Sequence, residues 1–530
     1  MKIYNTQSGR KEELATLNPG QVNMYVCGPT TYNYIHLGNA RPLVVFDMVR
    51  RYLAFRGYQV RYVQNFTDVD DKIINRAREE GEDPLQLAER YIREYYTDAD
   101  ALGINRADIH PRVSDHIPDI TTAIEGLIAK GFAYEVDGDV YYRVKAFQEY
   151  GKLSGRSLED MLAGARVEVD ERKEAPVDFA LWKRAKPGEP SWESPWGPGR
   201  PGWHIECSVM STKYLGDTLD IHGGGADLIF PHHENEIAQA EAYTGKPFVN
   251  YWMHNGFITV NSEKMSKSLG NFFILRDILA RYPHDVVRFY LIATHYRSPL
   301  DFDDGKLEEA KKALGRLKTT KVLGEEFLTG TVIEPVPLDL VSELLKKATE
   351  LQDKFLEAMD DDFNSAKALG FLFELSHLIN TFISGADPNQ GADRAVLHQA
   401  MRIYSNLGGV LGIFMETAAG DQQVVDSLLN LILTMRNQAR YDQQYALADS
   451  LRDFLNKLGI KVEDKAGGSH FRYEKAPEVS TIMDFLAALR QDFRFNKEYD
   501  RADRLRDELR EVGIALEDTK EGVRWKFVDA

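Results

Sequence analysis

The chain has only two cysteines in 530 residues, Cys27 and Cys207, and each sits among other residues able to do chemistry. Cys27 opens the run Cys-Gly-Pro-Thr-Thr-Tyr-Asn-Tyr-Ile-His-Leu-Gly-Asn, which ends at Asn39, so a thiol and a His-x-Gly segment share one stretch. Backbone amides at a helix N-terminus carry the positive end of the helix dipole, and a glycine lets a phosphate approach closely, so His36 and Gly38 suit a nucleotide. A turn glycine beside a surface histidine would read the same way. Lys264-Met-Ser-Lys-Ser268 adds two ammonium groups, Lys264 and Lys267, in a serine-rich loop beyond a hairpin expected over Phe257 to Glu263; such a loop can close over a triphosphate. Trp203-His-Ile-Glu-Cys207 and Phe230-Pro-His-His-Glu-Asn-Glu236 complete a donor set of thiols, imidazole and carboxylate, the ligand types zinc accepts. Pro231 is expected to begin a helix, with His232 and Glu236 on one face of it. Spacing alone does not choose between His232 and His233, or between Glu234 and Glu236.

The elements that would position these groups follow from periodicity. Val22 to Val26 alternates as a strand does, Ala40 to Arg56 repeats apolar residues at helical spacing, and Gln59 to Val63 is a second apolar run. The three make a strand-helix-strand unit with His36 to Gly38 at the strand-to-helix junction. Asn65 to Lys72 crowds polar residues at the carboxyl end of a strand, where open parallel sheets bind ligands. Asp83-Pro84 caps and opens another helix. From about Asp115 the pattern changes to a helix ending at Gly131, a hairpin around Asp137-Gly138 and polar connecting sequence. Trp182 to Trp203 holds four tryptophans among prolines and glycines and is expected to be a rigid loop walling a pocket. Val341, Leu344, Ala348, Leu351, Phe355 and Met359 form the stripe of a bundle helix.

Composition bounds the class. A chain of this length with 43% hydrophobic residues can build several cores, and no apolar run reaches the length of a membrane span. The first residues show no signal-peptide pattern, so a cytoplasmic setting is expected, and two cysteines are too few for a disulfide framework. A net charge of −17 disfavours a polyanionic partner, but the charge is uneven: Asn430 to Ala530 holds 18 Lys and Arg against 19 Asp and Glu, leaving −16 on the first 429 residues.

The His-x-Gly and Lys-Met-Ser-Lys-Ser strings resemble the two signatures of class I aminoacyl-tRNA synthetases, with Asn39 where the first signature usually ends in histidine; asparagine can hydrogen bond to phosphate or ribose but carries no charge. With Cys-Gly-Pro-Thr at 27, Thr-Asp-Val-Asp-Asp-Lys at 67, Gly-Trp-His-Ile-Glu-Cys at 202, His-Gly-Gly-Gly-Ala-Asp at 222 and Phe-Pro-His-His-Glu-Asn-Glu at 230, the chain is similar almost end to end to the cysteinyl-tRNA synthetase family. The resemblance implies zinc ligands Cys27, Cys207, His232 and Glu236, and a cysteine pocket shaped by Thr30, Thr67, Trp203 and Asp227. It places His36, Gly38, Asn39, Lys264 and Lys267 on ATP, with Mg²⁺ sharing the phosphate charge. It further implies a monomer that charges tRNA(Cys) with L-cysteine, the zinc selecting the substrate thiolate over serine. A ligase using the same adenylate chemistry on an amino sugar would lack the C-terminal end, and a silent tRNA-binding paralogue would not need the signature lysines.

The implied architecture is α/β: a Rossmann-like parallel-sheet catalytic domain (1–114 and 203–250) interrupted by a connective insertion (115–202). A stem-contact region with the lysine loop (251–312), a helical bundle (313–425) and a duplicated small α+β anticodon-end domain (426–476 and 477–530) follow. The duplication is read directly: Ala448-Asp449, Leu451-Arg452-Asp453 and Gly459-Ile460 recur as Ala502-Asp503, Leu505-Arg506-Asp507 and Gly513-Ile514, a period of 54. Two repeats are too few for a solenoid. Arg490, Arg494, Arg524 and Trp525 make the second copy the expected anticodon reader, because unpaired bases stack on aromatic rings beside arginines; the first copy has Phe471 where the second has Trp525.

Overall fold

The alternating run Gln21–Val26 forms an inner strand of a parallel sheet whose order in this computed structural model is Val249–Asn255, Leu219–Gly225, Gln21–Val26, Gln59–Gln64. The structure describes residues 1–157, 171–260, 263–264, 273–328, 342–388, 390–414, 418–465, 468–472, 477, 479–519 and 522–527. Two units are distinct, Met1–Met415 and Glu416–Ala530. No helix among the described residues is long and apolar enough to cross a membrane.

Parallel strands need crossovers, and the first is the helix Leu37–Phe55, which buries Leu43, Phe46, Val49 and Leu53. It begins three residues before the expected Ala40, because His36 and Asn39 cap it reciprocally. His36 Nδ1 accepts the Asn39 N–H at 3.3 Å, and Asn39 Oδ1 accepts the His36 N–H at 3.2 Å. From Gln21–Val26 the chain adds Gln59–Gln64 on one side and later Leu219–Gly225 on the other, and such a switch point opens a crevice at the carboxyl ends of the strands. Gly28 sits at that edge. A Cβ there would fall 1.6 Å from the Asn65 carbonyl oxygen, so only glycine lets the loops leaving two neighbouring strands meet.

Between the halves of this sheet lie the helix Ile117–Ala129 and a separate antiparallel sheet of Ala133–Val136, Asp139–Tyr142, Phe179–Arg184 and Gly199–Pro201. Its first hairpin turns on Asp137 and Gly138, with φ of 52° and 88°, the left-handed pair that matches strand twist. The tryptophan-rich stretch is not the continuous loop expected. Its apolar start, Phe179–Arg184, pairs as a strand that buries Trp182 completely, Trp192 and Trp196 pack on the same core, and Trp203 begins the helix Trp203–Leu215. Pro231 likewise does not open a helix. It follows a cis peptide bond, Phe230 is extended (φ −141°, ψ 132°), and the regular helix starts at Glu234 and runs to Thr244.

Past the sheet, Ile258–Val260 pairs antiparallel with Glu263–Lys264, the expected hairpin, and parallel with Leu300–Phe302. Four helices follow, Asp304–Leu328, Glu343–Asp360, Ser365–Gly385 and Gly391–Leu411. Leu344, Ala348, Leu351, Phe355 and Met359 all join the large core of the first unit; Val341 lies outside the described residues. A buried charge cluster ties this bundle to the helix Leu37–Phe55. Asp47, 1% exposed, pairs with Arg288 and with Arg51 (2.7 Å) and accepts the Asn105 N–H at 3.0 Å, while Arg288 Nε donates to the Leu411 carbonyl at 3.1 Å.

In the second unit the repeat becomes two copies of a helix-helix-hairpin module. The first is Ala418–Tyr441, Tyr445–Lys457, Lys461–Lys465 and Gly468–Arg472; the second is Val479–Phe495, Tyr499–Glu511, Ile514–Thr519 and Gly522–Phe527. They are not two self-contained domains. Leu428, Ile432, Leu451 and Leu455 of the first copy and Ile482, Leu486, Leu505 and Leu509 of the second belong to one hydrophobic core. A module of about 50 residues buries too little of its surface to stand comfortably alone, and sharing a core removes that difficulty.

The Asp47 cluster predicts a stability effect. Burial opposes the Asp47 charge, but Arg288 and Arg51 outweigh it and hold the carboxyl below its usual range. Asp47→Ala leaves Arg288 buried and unpaired and should cost about 3–5 kcal/mol in urea unfolding at neutral pH. Because the folded-state pKa is depressed, that contribution is complete above the ordinary carboxylate value of about 4 and fades as pH falls through the folded value, so wild type and variant should converge in acid. Equal unfolding midpoints at pH 7 would show that the cluster contributes nothing.

Candidate active site and metal centre

Three separate pieces of chain deliver one buried cluster. Cys27 leaves the strand Gln21–Val26, Cys207 lies on the helix Trp203–Leu215, and His232 and Glu236 come from the turn and helix after the cis proline. The ligand atoms of these four residues all lie within 4.8 Å of one another. Cys27 Sγ is 3.7 Å from Cys207 Sγ and 3.4 Å from Glu236 Oε1, and His232 Nε2 is 3.0 Å from the same Glu236 oxygen. Glu234, the other acid in the motif, faces elsewhere and accepts backbone N–H groups of Gly151 (2.9 Å) and Ser154 (2.8 Å). His233 is close, its Nε2 3.3 Å from Cys27 Sγ, and with His222, Cys27 and Glu236 it makes a second grouping within the same limit.

Outer contacts separate the two groupings. His222 Nε2 meets the second Glu236 oxygen, Oε2, at 2.8 Å, an imidazole-carboxylate pair of the sort that orients a metal ligand from behind. His233 Nδ1 is 2.7 Å from His254 Nε2, and His254 Nδ1 is 2.8 Å from Thr6 Oγ1, a relay leading away from the sulfurs. His232 has its Nδ1 3.0 Å from His204 Nδ1, which leaves Nε2 for the cluster. The grouping with both sulfurs is the softer donor set, and soft thiolates with an imidazole suit zinc.

The electrostatics ask for a cation. Burial pushes the Cys27 thiol up, while the hydrogen bond from Cys27 draws Cys207 down to about 6, so the pair shares one thiolate. Burial also works against charge on Glu236, but His222 and His232 outweigh it and hold the carboxyl well below its usual range. On His232 burial is overcome by Glu236 and Cys207, and the imidazole is raised to about 10. The proton on His232 thus balances two buried anions at the position where a divalent ion would do so more completely. The residues present therefore fit a metal of zinc's type.

A cavity of about 400 Å³ opens beside the cluster at the carboxyl edge of the sheet. Cys27, Thr30, Trp203 and Asp227 line it, as do His36, Gly38 and Asn39 at the start of the capped helix. Thr67 lies just behind: it bridges to Thr30 along the backbone, is 2% exposed, and its hydroxyl donates to Glu206 Oε2 at 2.9 Å. The strand Glu263–Lys264 fixes the backbone of Lys264, whose side chain, like the whole of Lys267, lies outside the described residues. Lys72, at the end of the polar run expected on this edge, and Tyr32, inside the opening run, also border the cavity, as does Asn255, which sequence reasoning did not single out; His222 and Glu206 support it from behind, and they stand inside quoted motifs without having been given a role. A more open groove of about 720 Å³ shares none of these residues, and the arginines along it, Arg50, Arg51 and Arg106, are paired with Asp108, Asp47 and Asp100.

The residues expected to read the anticodon differ in exposure. Arg490 is 4% exposed, and Trp525 sits opposite Leu516 in its hairpin and packs against the shared core, as Phe471 does in the first copy. Arg494 is exposed, and the Arg524 side chain lies outside the described residues.

Comparison with known proteins gives the wider context. Residues 13–312 match the model described as tRNA synthetases class I (C) catalytic domain, and residues 354–415 match the DALR domain. The chain is 59% identical to Cysteine--tRNA ligase of Pelotomaculum thermopropionicum, over 89% of this chain and 99% of that one. It is 51% identical to Cysteine--tRNA ligase of Desulforudis audaxviator, over 99% of this chain and 100% of that one. Among solved structures, methionyl-tRNA synthetase of Mycobacterium tuberculosis in complex with methionyl-adenylate superposes with a TM-score of 0.57 at 16% identity, covering 76% of this chain and 94% of that one, a likeness of fold alone. With a family model spanning the catalytic sheet and insertion, and identity above half along nearly the whole chain, the protein belongs to the cysteine--tRNA ligase family of class I aminoacyl-tRNA synthetases.

Proposed function

We propose that this chain activates L-cysteine with ATP and transfers it to tRNA(Cys), and that Cys27, Cys207, His232 and Glu236 hold a zinc ion that serves amino-acid selection. The observation that carries this reading is the adjacency of the two-sulfur cluster to a cavity whose other wall is the capped helix start at His36 to Asn39. The relatives' names supply the reaction, and the site supplies residues for each part of it.

In the first half-reaction a carboxylate oxygen of cysteine attacks the α-phosphorus of ATP in line; the new O–P bond forms as the bond from that phosphorus to the bridging oxygen breaks, and pyrophosphate leaves with the electron pair. The work is positioning and charge stabilisation, with no proton to be removed from the ionised carboxylate. Asp227 suits the ammonium group of the amino acid, and Trp203 and Thr30 close the cavity around it. Gly38 and its neighbours present the helix N-terminus to phosphate, and Asn39, its oxygen engaged with the His36 N–H, keeps the amide nitrogen to donate. Lys264 and Lys267 would follow the β and γ phosphates, with Mg²⁺ sharing the charge. In the second half-reaction a ribose hydroxyl at the tRNA 3′ end attacks the activated carbonyl, and AMP departs.

A bound zinc ion would supply a soft Lewis acid for the substrate thiol, which serine's hydroxyl matches poorly. Without it, a pocket relying on shape separates near-isosteric side chains by only about a hundredfold. ATP-pyrophosphate exchange tests the reading: cysteine should drive exchange and serine should not, and exchange that ignores cysteine, or accepts serine equally, would overturn it.

Two substitutions divide the site into its parts. Cys207→Ala should lose zinc, read by elemental analysis, together with cysteine-dependent exchange; a variant that keeps stoichiometric zinc would remove Cys207 from the ligand set. Lys267→Ala should slow exchange on the order of a hundredfold, the scale of one preorganised charge contact, with zinc content unchanged. Exchange near the wild-type rate would take Lys267 out of the phosphate site.

A further inference from the structure

Arg41 carries a buried charge that no carboxylate among the described residues neutralises. It lies on the helix Leu37–Phe55, two residues past the capping Asn39, and is 1% exposed. Arg288, buried to the same degree, is paired with Asp47; for Arg41, burial draws the guanidinium down to about 10 with no carboxylate to oppose it. Its donors gather three backbone oxygens instead. One terminal nitrogen donates to the Gly256 carbonyl at 2.8 Å and to the Phe257 carbonyl at 2.9 Å, and the other donates to the Ser298 carbonyl at 2.5 Å. Burying a cation without a counter-ion is costly, so the group that it holds in place has to matter.

That group is the wall of the cavity beside the metal cluster. Gly256 and Phe257, with Ile258 after them, line the cavity together with Gly38, Asn39 and Pro42 of the helix, and Arg41 grips the wall from behind. Gly256 is pressed onto the loop that supplies the third oxygen, since a Cβ there would fall 2.6 Å from the Ser298 oxygen and 2.7 Å from the Arg297 oxygen. Carbonyl dipoles crowded in this way repel, and a planar fork of donors is suited to drawing them together. The same helix start reaches the chain beyond the lysine motif. Its Leu37 N–H donates to the Phe273 carbonyl, and the Leu275 N–H donates to the Ile35 carbonyl, each at 3.0 Å, around a bridge between His36 and Ile274. The second signature is therefore held on both sides by one helix start, through backbone pairing after it and through Arg41 at the residues leading into Ile258–Val260 before it. The amino-acid side of the cavity rests on other contacts, Thr67 on Glu206 and Glu236 on His222 and His232.

We propose that Arg41 is a positioning residue for ATP: it fixes the nucleotide wall at Gly256 and Phe257 against the start of the helix, so that affinity for ATP depends on it and affinity for cysteine does not. The proposal rests on the reading of this cavity as the site of cysteine activation. It differs from a plain packing role in acting on one substrate of the two.

Separate binding measurements on the full-length protein test it. Calorimetry with a non-hydrolysable ATP analogue and no cysteine, and then with cysteine and no nucleotide, gives the two affinities independently of turnover. Arg41→Gln removes the charge and should weaken binding of the analogue on the order of tenfold or more, the scale of losing hydrogen bonds to a charged group, with cysteine affinity and zinc content unchanged. In cysteine-driven exchange the same variant should raise the KM for ATP by a like factor and leave the KM for cysteine alone. Arg41→Lys keeps a cation but offers a single nitrogen in place of the fork, and should fall between wild type and Arg41→Gln. If Arg41→Gln does not fold, Arg41→Lys decides: a severalfold loss confined to the nucleotide supports the proposal, and wild-type ATP affinity overturns it. Equal losses for nucleotide and cysteine in either variant, or a folded Arg41→Gln that binds the analogue as wild type does, would also overturn it. Absence of cysteine-driven exchange in the wild type would fault the activation reading alone, since the affinity for the analogue is read without it.

Discussion

A fully buried carboxylate, Glu236, is the constraint on which the catalytic unit turns. A buried charge of this kind is costly unless paired and hydrogen bonded, and the chain brings a partner to each oxygen: His222 from the strand Leu219–Gly225 to one, His232 to the other. Cys27, from the neighbouring strand, reaches the same oxygen as His232. Elements more than 200 residues apart in sequence must therefore converge at the carboxyl edge of the sheet, and Gly28 makes that possible by letting the backbone after one strand lie against the backbone after the next. The cavity follows from this convergence, since the switch point leaves the space and the cluster closes one side of it.

The sequence made the reactive groups legible because their chemistry is specific, and it made their grouping legible only through resemblance. Nothing in the spacing of His232, His233, Glu234 and Glu236 distinguishes ligand from support; the distinction is the backbone turn at Phe230, which sends Glu234 towards the N–H groups of Gly151 and Ser154 and Glu236 towards the sulfurs. His222 was visible only as part of a string, because an outer-shell role is a matter of a 2.8 Å contact and leaves no periodic signature. Trp182 misled for a plain reason: tryptophans among prolines look like a loop when counted by composition, and the short strand Phe179–Arg184 becomes apparent only when its partners Asp139–Tyr142 and Gly199–Pro201 are in place.

The C-terminal unit shows the same limit from the other side. The 54-residue period is plain in the sequence, as is the conservative exchange of Phe471 for Trp525 between the copies. Burial is not plain: Trp525, beside arginines in the sequence, is half-buried against the core that the two copies share. The residues left outside, Tyr441, Tyr445, Phe495 and Tyr499, carry no mark of their exposure in the sequence, since other tyrosines and phenylalanines of this chain are buried.

The central claim is that two sulfurs, one imidazole and one carboxylate of this chain hold the metal that meets the substrate thiol. X-ray absorption at the zinc edge addresses it directly, on the purified protein without and then with L-cysteine. The account predicts two sulfur neighbours with nitrogen and oxygen completing the shell, and one further sulfur when cysteine, but not serine, is added. A shell of nitrogen and oxygen with a single sulfur, unchanged by cysteine, would instead place the ion in the grouping of Cys27, His222, His233 and Glu236 and contradict the account.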